Sequence, residues 1–242
     1  MSFGFGGVAN ASEVRVGTTA ATAVYLGSEK VWPVFTPRLS PWYSPNGPIG
    51  QGGIAVPWPD GAQFCDVVGI SGGAGGTGTG VGGNPQLGGG SGLWGGITIP
   101  RQEDGRTYTY VNLYIGLDAG FDGAGGGNFN TQAADGSRFY VKPSGDTAAN
   151  IGPERSIAGG LDKTSGTGNR NGGSVAPSFV FNGRTYTLAS YGAGAGQGGA
   201  TGNKNGGPGS RPGGGGQSAD NGGLTGYNGG NGAHGAAILY WY

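Results

Sequence analysis

Charge is scarce in this sequence: 13 basic and 13 acidic side chains among 242 residues sum to zero. With no basic excess to neutralise phosphates, binding to nucleic acid is not expected. Cysteine is almost missing. A lone Cys65 builds neither a disulfide framework nor a zinc site, and its place in the run QFCDVVGI marks it as a small buried apolar side chain. Histidine also occurs once. His234 lies among glycine and alanine with no orienting partner nearby, so it reads as a spacer rather than a catalytic base. No apolar run approaches 18 residues, and no membrane span is expected. The opening MSFG has neither the basic nor the apolar part of a secretory leader, so synthesis in a cytoplasm is expected. No window carries apolar residues at i, i+3, i+4 and i+7 over helical length, which leaves the chain essentially free of α-helix.

What is present in abundance is glycine, 62 residues, together with 5 Trp, 11 Tyr and 9 Phe. Many of the glycines keep a beat of three: Gly72, Gly75, Gly78; Gly120, Gly123, Gly126; Gly196, Gly199, Gly202; and Gly223, Gly226, Gly229, Gly232, Gly235. Three residues per turn is the period of polyproline II, which has no internal hydrogen bonds. Glycine along one edge lets neighbouring extended segments approach and pair N–H with C=O. Each glycine also costs about 0.5–1 kcal/mol more backbone entropy than alanine, while a hydrogen bond returns about 0.5–1.5 kcal/mol net. Dense pairing, aromatic burial or oligomer contacts must offset the difference, which favours an assembly over a lone monomer.

The pattern along the chain predicts three parts. Residues 1–36 read as a small β module with strands at Glu13–Val16, Thr22–Leu26 and Lys30–Trp32. Residues 37–59 hold Pro37, Pro41, Pro45, Pro48, Pro57 and Pro59 and read as a semi-rigid spacer. Residues 60–242 read as a glycine-rich distal domain, all-β and sandwich-like, with polyproline II runs at 72–96 and 192–235 and a shorter one at 116–127. Its strands are expected at 63–70, 96–100, 107–115, 138–142, 178–181, 184–189 and 236–242. Asn182-Gly183 between two β-rich arms predicts a hairpin turn with positive φ at both positions. Broken Gly-X-Y order and sparse proline within the runs exclude collagen.

Motifs for chemistry are weak. Gly78-Thr-Gly80-Val-Gly-Gly83 fits G-x-G-x-x-G but precedes no helix. Gly229-Gly-Asn-Gly-Ala-His234 carries His where a calcium-binding repeat needs a carboxylate. Asp118, Asp122, Asn128 and Asn130 are the remaining oxygen donors for an isolated calcium site, a minor reading. Glu103-Asp104-Gly105 reads as a solvated turn, and no acid pair stands out for glycoside hydrolysis. No enzyme, metal or cofactor is expected. The better lead is aromatic: Trp94, Phe121, Phe129 and Tyr227 sit in or beside glycine runs, where rings cap the layers or stack on sugar rings.

Residues 14–32, VRVGTTAATAVYLGSEKVW, resemble a segment near the N-terminus of phage minor tail proteins, through Val14, Val16, Gly17, Val24, Tyr25, Gly27, Val31 and Trp32. Residues 54–242 are similar to the glycine-rich domain of minor tail proteins from siphophages of actinobacteria, ending here in GGNGAHGAAILYWY. A looser likeness is to glycine-rich tail-fibre tip adhesins. The resemblance implies a virion component at the tail tip, made in the bacterial cytoplasm. It would be attached through Val14, Val16, Tyr25, Val31 and Trp32 to other phage tail proteins, and its assembly as a homotrimer is implied too. The expected function is receptor binding to a host-surface glycan, with Trp94, Phe121, Phe129 and Tyr227 as contacts. The alternative is a structural component that braces another receptor-binding protein, and an envelope-degrading enzyme ranks last.

Overall fold

The computed structural model describes residues 15–16, 19–20, 24–26, 29–32, 35–44, 53–78, 88–115, 139–158, 161–162, 171–199, 205–219 and 227–242. The chain is all-β. Among the described residues only Ala148–Asn150 and Leu188–Ser190 are helical, each a single 3-10 turn. In the N-terminal part, β1 (Arg15–Val16) pairs with β2 (Thr19–Ala20), and β3 (Val24–Leu26) with β4 (Glu29–Trp32). These are two separate two-stranded hairpins, four short strands where three are expected.

The strands that follow are β5 (Arg38–Leu39), β6 (Ile54–Pro57), β7 (Phe64–Ile70), β8 (Ser91–Gly92), β9 (Trp94–Pro100), β10 (Gln102–Glu103), β11 (Arg106–Thr107), β12 (Tyr110–Ile115), β13 (Phe139–Ser144), β14 (Arg155–Ala158), β15 (Leu161–Asp162), β16 (Ser178–Phe181), β17 (Arg184–Thr187) and β18 (Ala236–Trp241). Two four-stranded antiparallel sheets, ordered β5-β18-β7-β9 and β14-β13-β12-β6, form a sandwich. Alternation decides which side chains meet in it. Cys65, Val67, Ile99, Leu239 and Trp241 of the first sheet pack on Val56, Val111, Leu113, Phe139 and Val141 of the second. Burial pushes the Cys65 thiol well above its ordinary pKa, as its apolar surroundings require.

The proline-rich stretch departs from the spacer expected of it. Its described residues supply an edge strand to each sheet, β5 beside β18 and β6 beside β12. Edge strands tolerate proline because one row of N–H groups needs no partner. Trp58 is buried from this stretch, donating to the Ala62 carbonyl at 2.9 Å and meeting Trp241 edge-on at 5.0 Å. Glu103 also differs from a solvated turn residue. At the β10–β11 hairpin it faces inward, accepting from the Tyr108 hydroxyl at 3.1 Å and pairing with Arg155.

The β16–β17 hairpin turns at Asn182 (φ +46°) and Gly183 (φ +73°), as its Asn-Gly pair predicts. It lies across the outer face of the first sheet, where Phe179, Phe181 and Tyr186 cover Val68 and Ile238. Gly96 provides the seat: a Cβ there would sit 2.7 Å from the Phe181 ring.

Beyond the sheet the glycine runs form a bundle. Its segments are 71–77, 88–92, 171–175, 195–199, 206–210, 213–219 and 228–235. The last, first and second of these lead into or out of β18, β7 and β9, and they keep the strands' side-by-side order. Segment 213–219 is central. Its residues are buried throughout, and it exchanges backbone hydrogen bonds with all six others, through Ala74, Gly89, Gly173, Gly199, Gly207 and Gly230 among their residues. The six form a closed ring around it, each bonded to the next: Ala74 to Gly90, Gly173 to Gly89, Gly172 to Gly199, Ser210 to Gln197, Gly206 to Asn228 and Gly73 to Ala233. Direction repeats every three residues. Gly214 and Gln217 both donate to 206–210, Gly216 and Ala219 both donate to 71–77, and Gly213 and Gly216 both accept from 88–92. Every third residue of the central segment thus meets the same neighbour. The pairing that glycine demands is thus met between segments of one chain.

Candidate functional site

The hairpin leaves one end of the first sheet uncovered. At that margin a cavity of about 630 Å³ is lined by Asp66, Asn182, Gly183, Arg184, Thr185, Tyr240 and Tyr242. The size suits a small ligand such as one or two sugar rings. Its residues come from distant parts of the chain. Cross-strand register sets Thr98, Asp66 and Tyr240 in one row over β9, β7 and β18, and the left-handed turn residues hang Asn182 above it.

Asp66 is the organising group. It points to the outer face between inward-facing Cys65 and Val67, yet it is only 3% exposed. Its Oδ1 accepts three hydrogen bonds: from the Thr98 hydroxyl at 2.7 Å, the Asn182 amide at 3.1 Å and the Tyr242 hydroxyl at 3.2 Å. The Asn182 amide also donates to Thr98 Oγ1 at 2.8 Å, which ties the turn to β9. Three donors on one oxygen fix the carboxylate's rotation. No donor among the described residues reaches Oδ2, and Asp66 lines the cavity. A positioned acceptor therefore opens into the cavity.

Aromatic surface surrounds this acceptor. Tyr240 and Tyr242 lie 5.5 Å apart at 28°, and Phe64, 42% exposed, stacks on Tyr242 at 5.5 Å. The Arg184 guanidinium rests over the Tyr240 ring, 3.7 Å from its centroid. Burial and then the negative charge of Asp66 raise the Tyr242 pKa, so the phenol stays a donor. Behind the pocket Tyr186 is pushed up to about 12, by burial first and the Asp66 charge second. Its buried hydroxyl has no hydrogen-bond partner.

Of the aromatic contacts read from the sequence, Trp94 is half-buried: it stacks on Phe179 at 5.7 Å and 9°, and its indole donates to the Ala176 carbonyl at 2.8 Å. Its role here is to join the sheet, the hairpin and Trp42, whose ring is 6.1 Å away. Tyr227 is half-buried beside segment 228–235 and does not line the pocket. Phe121 and Phe129 lie outside the described residues, as do Asp118, Asp122, Asn128 and Asn130. Val16, Tyr25, Val31 and Trp32 fall on the N-terminal hairpin strands, and Val14 lies outside the described residues. His234 is fully buried where the bundle meets β18. Sequence reading missed Asp66. The signal was an acid in the middle of an otherwise apolar strand, a position that needs partners.

No protein-family model matches the chain. It is similar to the Gene 32 protein of Mycobacterium phage L5, with 34% identity over 190 residues that cover 74% of each chain.

Proposed function

The chain belongs to the family of that phage Gene 32 protein, and from this premise we propose that it is a minor tail protein of a phage virion, placed at the tail tip, which binds a glycan on the host surface through the Asp66 pocket. The observation that carries the reading is the half-satisfied carboxylate: Oδ1 held by three donors and Oδ2 open to a cavity rimmed by tyrosines. Sugar recognition needs this combination, a fixed polar acceptor for hydroxyls and flat apolar surface for a ring face. The same pocket favours binding over hydrolysis. Asp66 is the only acid among its lining residues, whereas glycoside cleavage takes a pair of carboxylates. The N-terminal part, through Val14, Val16, Tyr25, Val31 and Trp32, would attach the chain to other tail proteins. A homotrimer rests on the family resemblance alone, since the central glycine segment finds its partners within one chain. Many copies per virion would raise weak single-site affinity by avidity.

The test is binding of fluorescently labelled full-length protein, presented multivalently, to intact actinobacteria. Saturable, strain-selective binding that Asp66→Ala abolishes while the fold is kept supports the reading. Absence of binding by folded protein refutes it and leaves the bracing of another receptor-binding protein as the role.

A further inference from the structure

Within the glycan-binding reading, on which this rests, we propose that the pocket selects an acidic sugar: a hydroxylated ring carrying an oxyanion substituent, with hydroxyls donating to Asp66 Oδ2 and the oxyanion held by Arg184. Both polar groups are left open by the described residues. Asp66 places all three of its hydrogen bonds on Oδ1. The Arg184 guanidinium rests over the Tyr240 ring and makes no ion pair or side-chain hydrogen bond among the described residues.

A guanidinium resting on a ring keeps its in-plane N–H groups free, and their fork matches the two oxygens of a carboxylate or phosphate. Arg184 and Asp66 line one cavity without pairing with each other. The space between an open cation and an open carboxylate fits a molecule with an acceptor at one end and donors at the other. A neutral sugar would satisfy Asp66 and leave the guanidinium's preference for an anion unused. A bare anion would meet Arg184 and face the Asp66 carboxylate. A ring bearing both groups suits both, and the faces of Tyr242 and Phe64 offer it a stacking surface.

Two sources share this chemistry, uronates and sugar phosphates, and the test separates them. Binding of D-glucuronate, glucose 6-phosphate, glucose and inorganic phosphate to the full-length protein is measured by ligand-observed NMR at low ionic strength. One of the two acidic sugars is expected to bind about tenfold more tightly than glucose, and which one identifies the substituent. Arg184→Gln is expected to reduce that preference to within about twofold. Asp66→Asn weakens all the sugars together. Raising the salt concentration is expected to erode the preference.

Equal binding of glucose and both acidic sugars would overturn the proposal, as would inorganic phosphate binding as tightly as glucose 6-phosphate. So would a preference that survives Arg184→Gln. If the acidic preference fails while labelled protein still binds cells in an Asp66-dependent way, the acidic class falls and the glycan reading stands. If cell binding fails as well, both fall.

Discussion

Gly216→Ala puts the bundle to a quantitative test. Gly216 lies in the central segment, donating to the Ala74 carbonyl at 2.8 Å and accepting from Gly89 N–H at 2.7 Å. A Cβ there would overlap the carbonyl of Gly230, whose carbon would be 2.5 Å away and whose oxygen nearer still. The obstacle is backbone, which has no rotamer to change, so segments 213–219 and 228–235 must part. Three hydrogen bonds join them: Gly230 to Gln217 at 2.8 Å, Ala233 to Gly214 at 2.7 Å and Gly213 to His234 at 2.7 Å. Overpacking costs about 1–3 kcal/mol, and each weakened hydrogen bond about 0.5–1.5 kcal/mol. Alanine's smaller unfolded-state entropy returns only about 0.4–1 kcal/mol. The expected loss is about 3–5 kcal/mol, a large share of a total stability of roughly 5–15 kcal/mol. Urea unfolding followed by tryptophan fluorescence reads it as a lowered midpoint. A Gly216→Ala protein within about 1 kcal/mol of wild type, or more stable, would refute the close-packed ring of segments.

Gly183→Ala is the contrasting case: a Cβ there meets nothing within 4 Å, but φ is +73°, so a loss of only about 1–2 kcal/mol is expected in the same unfolding assay. Tyr186→Phe removes a buried hydroxyl without a partner and is expected to leave stability at neutral pH unchanged or raised by about 1 kcal/mol. The same substitution changes the alkaline limb. The unfolded phenol titrates near 10 and the folded one at about 12, so its contribution is complete below pH 10 and is lost as pH rises through 12. That amounts to about 2–3 kcal/mol, and melts between pH 9 and 12 should show wild type losing that much more than the variant. Trp94→Ala, which removes two ring contacts and the bond to Ala176, is expected to destabilise by about 3 kcal/mol by denaturant titration, and a change below 1 kcal/mol would show that the hairpin is held by other contacts.

Local rules made much of the fold legible. The apolar runs at 63–70 and 236–242 lie over β7 and β18, and the Asn182-Gly183 pair predicts its hairpin to the residue. Strands β5 and β6 were hidden because proline argues against strand in general, and only the finished sheet shows that these are edges. The pocket was hidden for a different reason. Asp66, Asn182 and Tyr242 are separated by 116 and 176 residues from first to second and first to last, so no window contains the site. An acid buried in a strand announces that it has partners, and register alone says which. The three-residue beat was visible, but its meaning depended on how many segments would find each other.

The central glycine segment is also the sixth of the seven to be synthesised, and β18, which sits between β5 and β7, is the last strand of all. Neither the bundle nor the first sheet can close until segment 213–219 and β18 have been made. Folding is therefore dominated by distant contacts, which places it among slow-folding topologies. A chain stopped short of Ala236 would leave β7 with an unpaired edge and the ring of glycine segments incomplete, an adhesive strand for any neighbour. Pairing of β18 is thus the step that covers this edge and closes the ring together.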